Sequence, residues 1–174
     1  IEEFKNNKNA TSAYFENQVI TSLDLSSYDF SLTSFFLNKC IIDKSDFSNT
    51  SFFKTFFKKA VFHNVDMRQA RFKEVNFDHA VFINVNAAEA VFTNCSFQHV
   101  AIYNCDFSHA CLKDAPFIRA TISKASFNQA DLSGACLSYS TISAVSFVNA
   151  IIDQADFSGV NARFCQFPPK VSVH

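Results

Sequence analysis

Residues 60–79 read AVFHN VDMRQ ARFKE VNFDH. In each block of five a small residue comes first (Ala60, Val65, Ala70, Val75) and a large apolar one third (Phe62, Met67, Phe72, Phe77). An α-helix cannot use this spacing, because five steps of about 100° would carry successive large residues around its axis. A flat strand fails too, since an odd period turns the large residue to the opposite face at every block. The spacing fits a chain in which the small and large residues, two apart, point the same way on a short strand while the others turn a corner. Repeated, such units wind a coil around an apolar interior.

The pattern runs far beyond this stretch. In steps of five from Leu37 to Phe167 there are 27 positions, all apolar, and the series two residues ahead of them is uniformly small from Cys40 to Cys165. Phe occurs 23 times, whereas Gly occurs twice and Trp not at all, and the scarcity of Gly argues against a fold with many Gly-dependent turns. The length of 174 residues suits one domain. A formal net charge of −1 excludes a broadly cationic or strongly acidic polymer binder. No apolar run is long enough to cross a membrane, and no signal peptide is visible, which gives a cytoplasmic expectation, or a host cytoplasm for an effector. The six cysteines lack metal-ligand spacing and read as free thiols; Cys40, Cys95, Cys105 and Cys165 fall on interior positions, Cys111 and Cys136 on outward ones.

The repeat resembles the pentapeptide-repeat family, whose motif is A(D/N)LXX: Ala130-Asp131-Leu132-Ser133-Gly134 matches fully and Ala155-Asp156-Phe157-Ser158-Gly159 is a Phe variant. The resemblance implies an all-β, right-handed quadrilateral β-helix with four pentapeptides per coil. Residues 37–167 then make about seven coils, residues 1–36 an N-terminal cap or irregular first coil, and 168–174 an exit segment. Residues 20 apart stack, so Leu37, Phe57, Phe77, Phe97 and Phe117 form one interior ladder. In another column Ala87 stands between Met67 and Phe107 and leaves a void or room for a repacked Phe107. Asn64, Asn84 and Asn104 fall in one outward column, placed for a hydrogen-bonded ladder.

Upstream of Leu37 the phase changes, with Phe15, Ile20, Leu25, Phe30 and Phe35 two out of step with the main series. Pro168-Pro169 removes two donors and stops strand pairing. A start at Ile1 suggests a piece of a longer chain.

No GxSxG, HExxH, GxxxxGK[ST] or GxGxxG occurs, and a packed square rod offers flat faces rather than a pocket, so a non-catalytic role is expected, with no cofactor. The candidate interaction surface is a column of Lys39, Lys59, His79, His99 and Arg119 beside outward Ile41, Val61, Val81, Ile83 and Tyr103. His79 and His99 could hold a metal only with a third ligand, which the flanking columns do not supply. Outward Phe36, Phe53 and Phe56 form a further cluster near Lys54, Lys58 and Lys59, and packing of residues 1–30 over it is expected. Residues 37–74 hold eight basic and four acidic residues. Val148, Ile151 and Phe164 mark a C-terminal edge for homodimer pairing or for docking onto a following domain.

Two functions follow as expectations. One is a protein-protein interaction module of a larger bacterial protein such as a secreted effector, its partner a protein of unknown identity. The other, implied by the family, is a DNA-mimicking gyrase-protection protein. Residues 37–167 disfavour it, since they balance eleven Asp/Glu against twelve Lys/Arg and the column of Asp46, Asp66 and Asp106 is broken by Asn86 and Ser126. Direct nucleic-acid binding is disfavoured as well.

Overall fold

The computed structural model describes residues 12–169, and among them every regular element is a strand of two or three residues. All pairings are parallel, as a continuously wound coil requires. The longest sheet stacks eight strands: Val19–Thr21, Ile41–Asp43, Val61–His63, Val81–Ile83, Ala101–Tyr103, Thr121–Ser123, Thr141–Ser143 and Asn161–Arg163. Eight strands on one face mean eight coils, one more than the sequence pattern suggests. The extra coil comes from residues 12–36.

The four faces are named here by their outward residue in one coil: Phe56, Val61, Asp66 and Arg71. Inside, each face presents a ladder of large side chains. Phe57, Phe77, Phe97 and Phe117 stack with centroids 4.7–5.4 Å apart and planes within 13° of parallel. Neighbouring ladders meet edge to face, as Phe72 does with Phe77 at 5.4 Å and 76°. Both geometries suit the ring quadrupole, worth about 0.5–1.5 kcal/mol per pair beyond area burial. Ala87 is fully buried, and Phe107 closes toward Phe82 and Phe92 at 6.2 and 6.0 Å, which is the repacking that the small residue permits.

From Lys39 on, every corner is turned by one left-handed residue. All 26 positions in steps of five from Lys39 to Phe164 have φ between 47° and 69°, and only Gly134 and Gly159 among them are glycines. The turns are thus many but not Gly-dependent, so the scarcity of Gly says nothing of their number. A non-Gly residue in this region costs about 1–2 kcal/mol, and here the continuous ladder and the buried aromatics offset it at each corner. Many corners are closed by an N–H that donates three residues back to the large residue's carbonyl, as Ala60 does to Phe57 at 2.9 Å. The Asp/Asn of the repeat supplies a second tie. Asp46, Asp66, Asp106 and Asp131 each accept the backbone N–H two residues on at 2.8–2.9 Å.

The phase change near the N-terminus has a simple origin. Ala13, Ile20 and Asp24 pair with residues 22 ahead (Phe35, Ile42, Asp46), whereas Phe36 pairs with Phe56, 20 ahead. Two additional residues sit in the corner between Phe30 and Phe35, where Leu32 stands exposed. Phe35 thereby lands on a small-residue position, buried edge-on against Phe30 at 5.0 Å. Residues 12–30 form their own coil, which meets the Phe36, Phe53 and Phe56 cluster through Tyr14 stacked on Phe36; residues 1–11, the rest of the segment expected to pack over it, lie outside the described residues. At the other end Ala162 is exposed and Phe157 and Phe167 are only half-buried, because no later coil among the described residues covers them. Of the exit segment, Pro168 and Pro169 lie within the described range and residues 170–174 outside it.

Candidate protein-interaction surface

The Val61 face is the most regular plane of the molecule. Its outward column runs Val19, Ile41, Val61, Val81 and Ala101, then changes to Thr121, Thr141 and Asn161. Ile41 is 44% exposed, and Val61, Val81 and Ala101 are partly so. The parallel column two residues on holds Asp43, His63, Ile83 and Tyr103. His63 Nδ1 lies 2.8 Å from the Asp43 carboxylate, which uses up one charge at that edge. Beyond it, Asn84 donates to Asn64 at 3.1 Å, so that part of the Asn column is a structural ladder.

Lys39, Lys59, His79, His99 and Arg119 occupy successive left-handed corners along the opposite edge of this face, with φ of 56–60°. The His79 and His99 rings stack 4.7 Å apart with planes within 2°. Stacked this way, their in-plane nitrogens point along parallel directions and do not converge on one ion. No group of three or more metal-ligating side chains occurs among the described residues. The sequence-predicted residues are thus brought together as one flat surface, an apolar stripe rimmed on one side by Lys, His and Arg side chains.

Val148, Ile151 and Phe164 lie on the last coils but not on one column: Val148 is beside the corner that follows the Asp66 face, Ile151 on the Arg71 face, and Phe164 at the corner after the Val61 face. Phe164 is 88% exposed at φ 56°.

Sequence reasoning underestimated the Phe56 face. Its outward column opens with three stacked rings, Tyr14 on Phe36 at 4.3 Å and Phe36 on Phe56 at 4.8 Å, all within 9° of parallel. Tyr14 is 70% exposed. The two-residue phase change hid Tyr14 from the column of Phe36 and Phe56; pairing across 22 residues instead of 20 would have revealed it. Of the thiols, Cys165 was expected inside with Cys40, Cys95 and Cys105 but lies in the partly uncovered last coil. Burial pushes the Cys95 thiol up to about 12 and that of Cys105 to about 11.

Among the described residues no helix is long and apolar enough to cross a membrane. Two sequence models described as pentapeptide repeats match the chain, one of nine copies at residues 57–101 and one of eight copies at 37–69, 102–138 and 110–147. No curated protein matches it. Solved structures similar to it include HetL, a pentapeptide repeat protein involved in heterocyst differentiation regulation from the cyanobacterium Nostoc sp. strain PCC 7120 (17% identity, 99% of this chain and 97% of that one, TM-score 0.34). Others are QnrB1, a plasmid-mediated fluoroquinolone resistance protein (21%, 90% and 84%, TM-score 0.33), and Rfr23 from the cyanobacterium Cyanothece 51142 (11%, 88% and 90%, TM-score 0.44).

Proposed function

Because this chain belongs to the pentapeptide-repeat family, its function resides on the outside of a filled rod, and we propose that it is a non-catalytic scaffold that binds a protein partner through the Val61 face. The observation that carries this reading is the change along one column. Thr121 and Thr141 occupy the same strand position as Ile41, Val61 and Val81 and pair in the same register. β-Branching serves the strand equally in both halves, so strand formation does not require the N-terminal half to be apolar and exposed. A contiguous, at least partly exposed apolar stripe is the mark of a contact surface. The cationic rim adds selectivity for a partner with acidic residues beside its apolar contact.

The test is comparative capture from a lysate with the wild type, with Val61→Thr/Val81→Thr, and with Thr121→Val/Thr141→Val. A specific partner is lost with the first variant and kept with the second; equal capture by all three overturns the assignment of this face.

A DNA-mimicking surface is less well supported. Asp46, Asp66 and Asp106 are tied into turns, and Asp66 is further neutralised by Arg68, whose guanidinium approaches within 2.6 Å. We also propose that the last coils pair two copies. Phe164 supports this, since an exposed ring on a left-handed corner serves neither the core nor the backbone.

A further inference from the structure

We infer that the N-terminal end of the Phe56 face is a second binding surface, one that takes an acidic, extended segment of a partner protein. Tyr14, Phe36 and Phe56 stack along the rod axis at the spacing of the strands beneath them. Rings stacked in this direction cover one another's faces and turn their edges to solvent. A ring edge carries partial positive charge, so the column is apolar in bulk yet favours anionic atoms at its rim.

The two flanking corners reinforce that preference. On one side stand Lys39, Lys58 and Lys59, and on the other Lys54 and Lys73, whose ammonium groups lie 5.0 and 5.6 Å from the Phe53 ring centroid. The five lysines outnumber the three nearby carboxylates among the described residues, which leaves a net cationic excess. Glu74 lies 3.8 Å from Lys54, Glu16 accepts from the Asn38 amide at 2.9 Å, and Asp78 accepts from the Ser96 hydroxyl and the Gln98 N–H. The aromatic column is confined to this end, for it continues as Asn76, Ser96, Pro116, Cys136 and finally Asp156.

Two other classes of polyanion fit less well. Single-stranded nucleic acid binds such platforms by stacking bases on open ring faces, and here the rings occupy each other's faces. A membrane-binding surface projects its aromatic side chains into the interface, whereas these lie in register along a flat sheet. Carboxylates spaced along an extended chain, with apolar residues between them, match lysines on both rims of an apolar strip. This surface shares the Lys39 and Lys59 corner with the Val61 face, but its aromatic column and its Lys54 and Lys73 flank are its own.

Fluorescence anisotropy with a labelled peptide alternating glutamate and leucine tests the assignment, alongside labelled oligo-deoxythymidine and vesicles containing phosphatidylserine. The peptide should bind the wild type, and Lys54→Glu/Lys58→Glu should weaken it by about tenfold or more. Phe56→Asn, which copies Asn76 one coil on, should also weaken it with an unchanged circular dichroism spectrum. Lys113→Glu/Lys124→Glu, the same charge change elsewhere on the rod, and Val61→Thr/Val81→Thr should leave binding intact. Equal binding by Lys54→Glu/Lys58→Glu and wild type overturns the proposal. So does binding of the oligonucleotide or the vesicles in preference to the peptide.

Discussion

The carboxylate of Asp131 accepts two hydrogen bonds from Ser133, one from its backbone N–H at 2.9 Å and one from its hydroxyl at 2.6 Å. These bonds hold the Asp131 carboxyl below its ordinary range. Desolvation works against the charge of Asp66, but the Arg68 side chain and N–H outweigh it and lower that carboxyl as well. Asp156 is lowered by the N–H and hydroxyl of Ser158. A folded-state value below the unfolded one means that the charged form favours folding. The contribution is complete above the unfolded carboxylate range near pH ~4 and is lost as pH falls through the lowered folded values. Melting temperature should therefore drop below about pH 4, and Asp131→Asn, which still accepts but does not titrate, should flatten that drop. Asp131→Ala should cost about 0.5–1.5 kcal/mol at neutral pH, read from denaturant unfolding.

Phe97 is fully buried between Phe77 at 5.1 Å and Phe117 at 4.7 Å. Phe97→Ala should destabilise by about 3–5 kcal/mol, and Phe97→Asp, which buries an unpartnered carboxylate, should abolish folding. Parent-like melting of the Asp variant would mean that this position does not face inward.

Thiol labelling should separate the cysteines three and three. Cys111, Cys136 and Cys165 are partly exposed and should react quickly in the native state, while Cys40, Cys95 and Cys105 should wait for unfolding. At mildly alkaline pH the contrast should persist, since burial keeps Cys95 and Cys105 protonated up to about 12 and 11. Fast reaction of all six would contradict the packing.

Ala144 turns its corner at φ 53° with a side chain poorly suited to that region. Ala144→Gly should stabilise by about 0.5–1 kcal/mol, the left-handed penalty less the added unfolded-state entropy. The reverse change at Gly134 should destabilise, because this corner sits at φ 69°, where a Cβ is strained, and the new Cβ would also displace the Asp114 carboxylate of the preceding coil. Denaturant midpoints of the two variants should move in opposite directions.

If the last coils pair two copies, sedimentation should show a dimer, and Phe164→Glu with Ile151→Lys should shift it to monomer while circular dichroism stays β-rich. A parent that remains monomeric at high concentration rules the pairing out.

The interior was legible in the sequence because one rule places it. A large residue every fifth position and a small one two ahead can face inward together in only one kind of winding, and burial from Leu37 to Phe147 follows that rule. Corner conformation was not legible, since composition records what a turn prefers and not what a ladder on either side can impose; Phe164 and Ala144 occupy conformations that Gly or Asn would choose. The apolar Val61 column and its cationic rim could be found by counting in twenties. The Tyr14–Phe36–Phe56 stack could not, because its first member lies across a coil two residues longer than the rest.

That longer coil also shows where this architecture accepts changes in length. Two residues added between Phe30 and Phe35 leave the pairing of Phe30 with Phe52 and of Phe36 with Phe56 intact. Each coil aligns on the neighbour it touches rather than on a count kept along the chain, so an addition at a corner is absorbed within one turn and everything downstream keeps its place. The corner at residues 31–33 is thus a natural port for a grafted loop or epitope, while the same addition inside a three-residue strand would displace a core side chain.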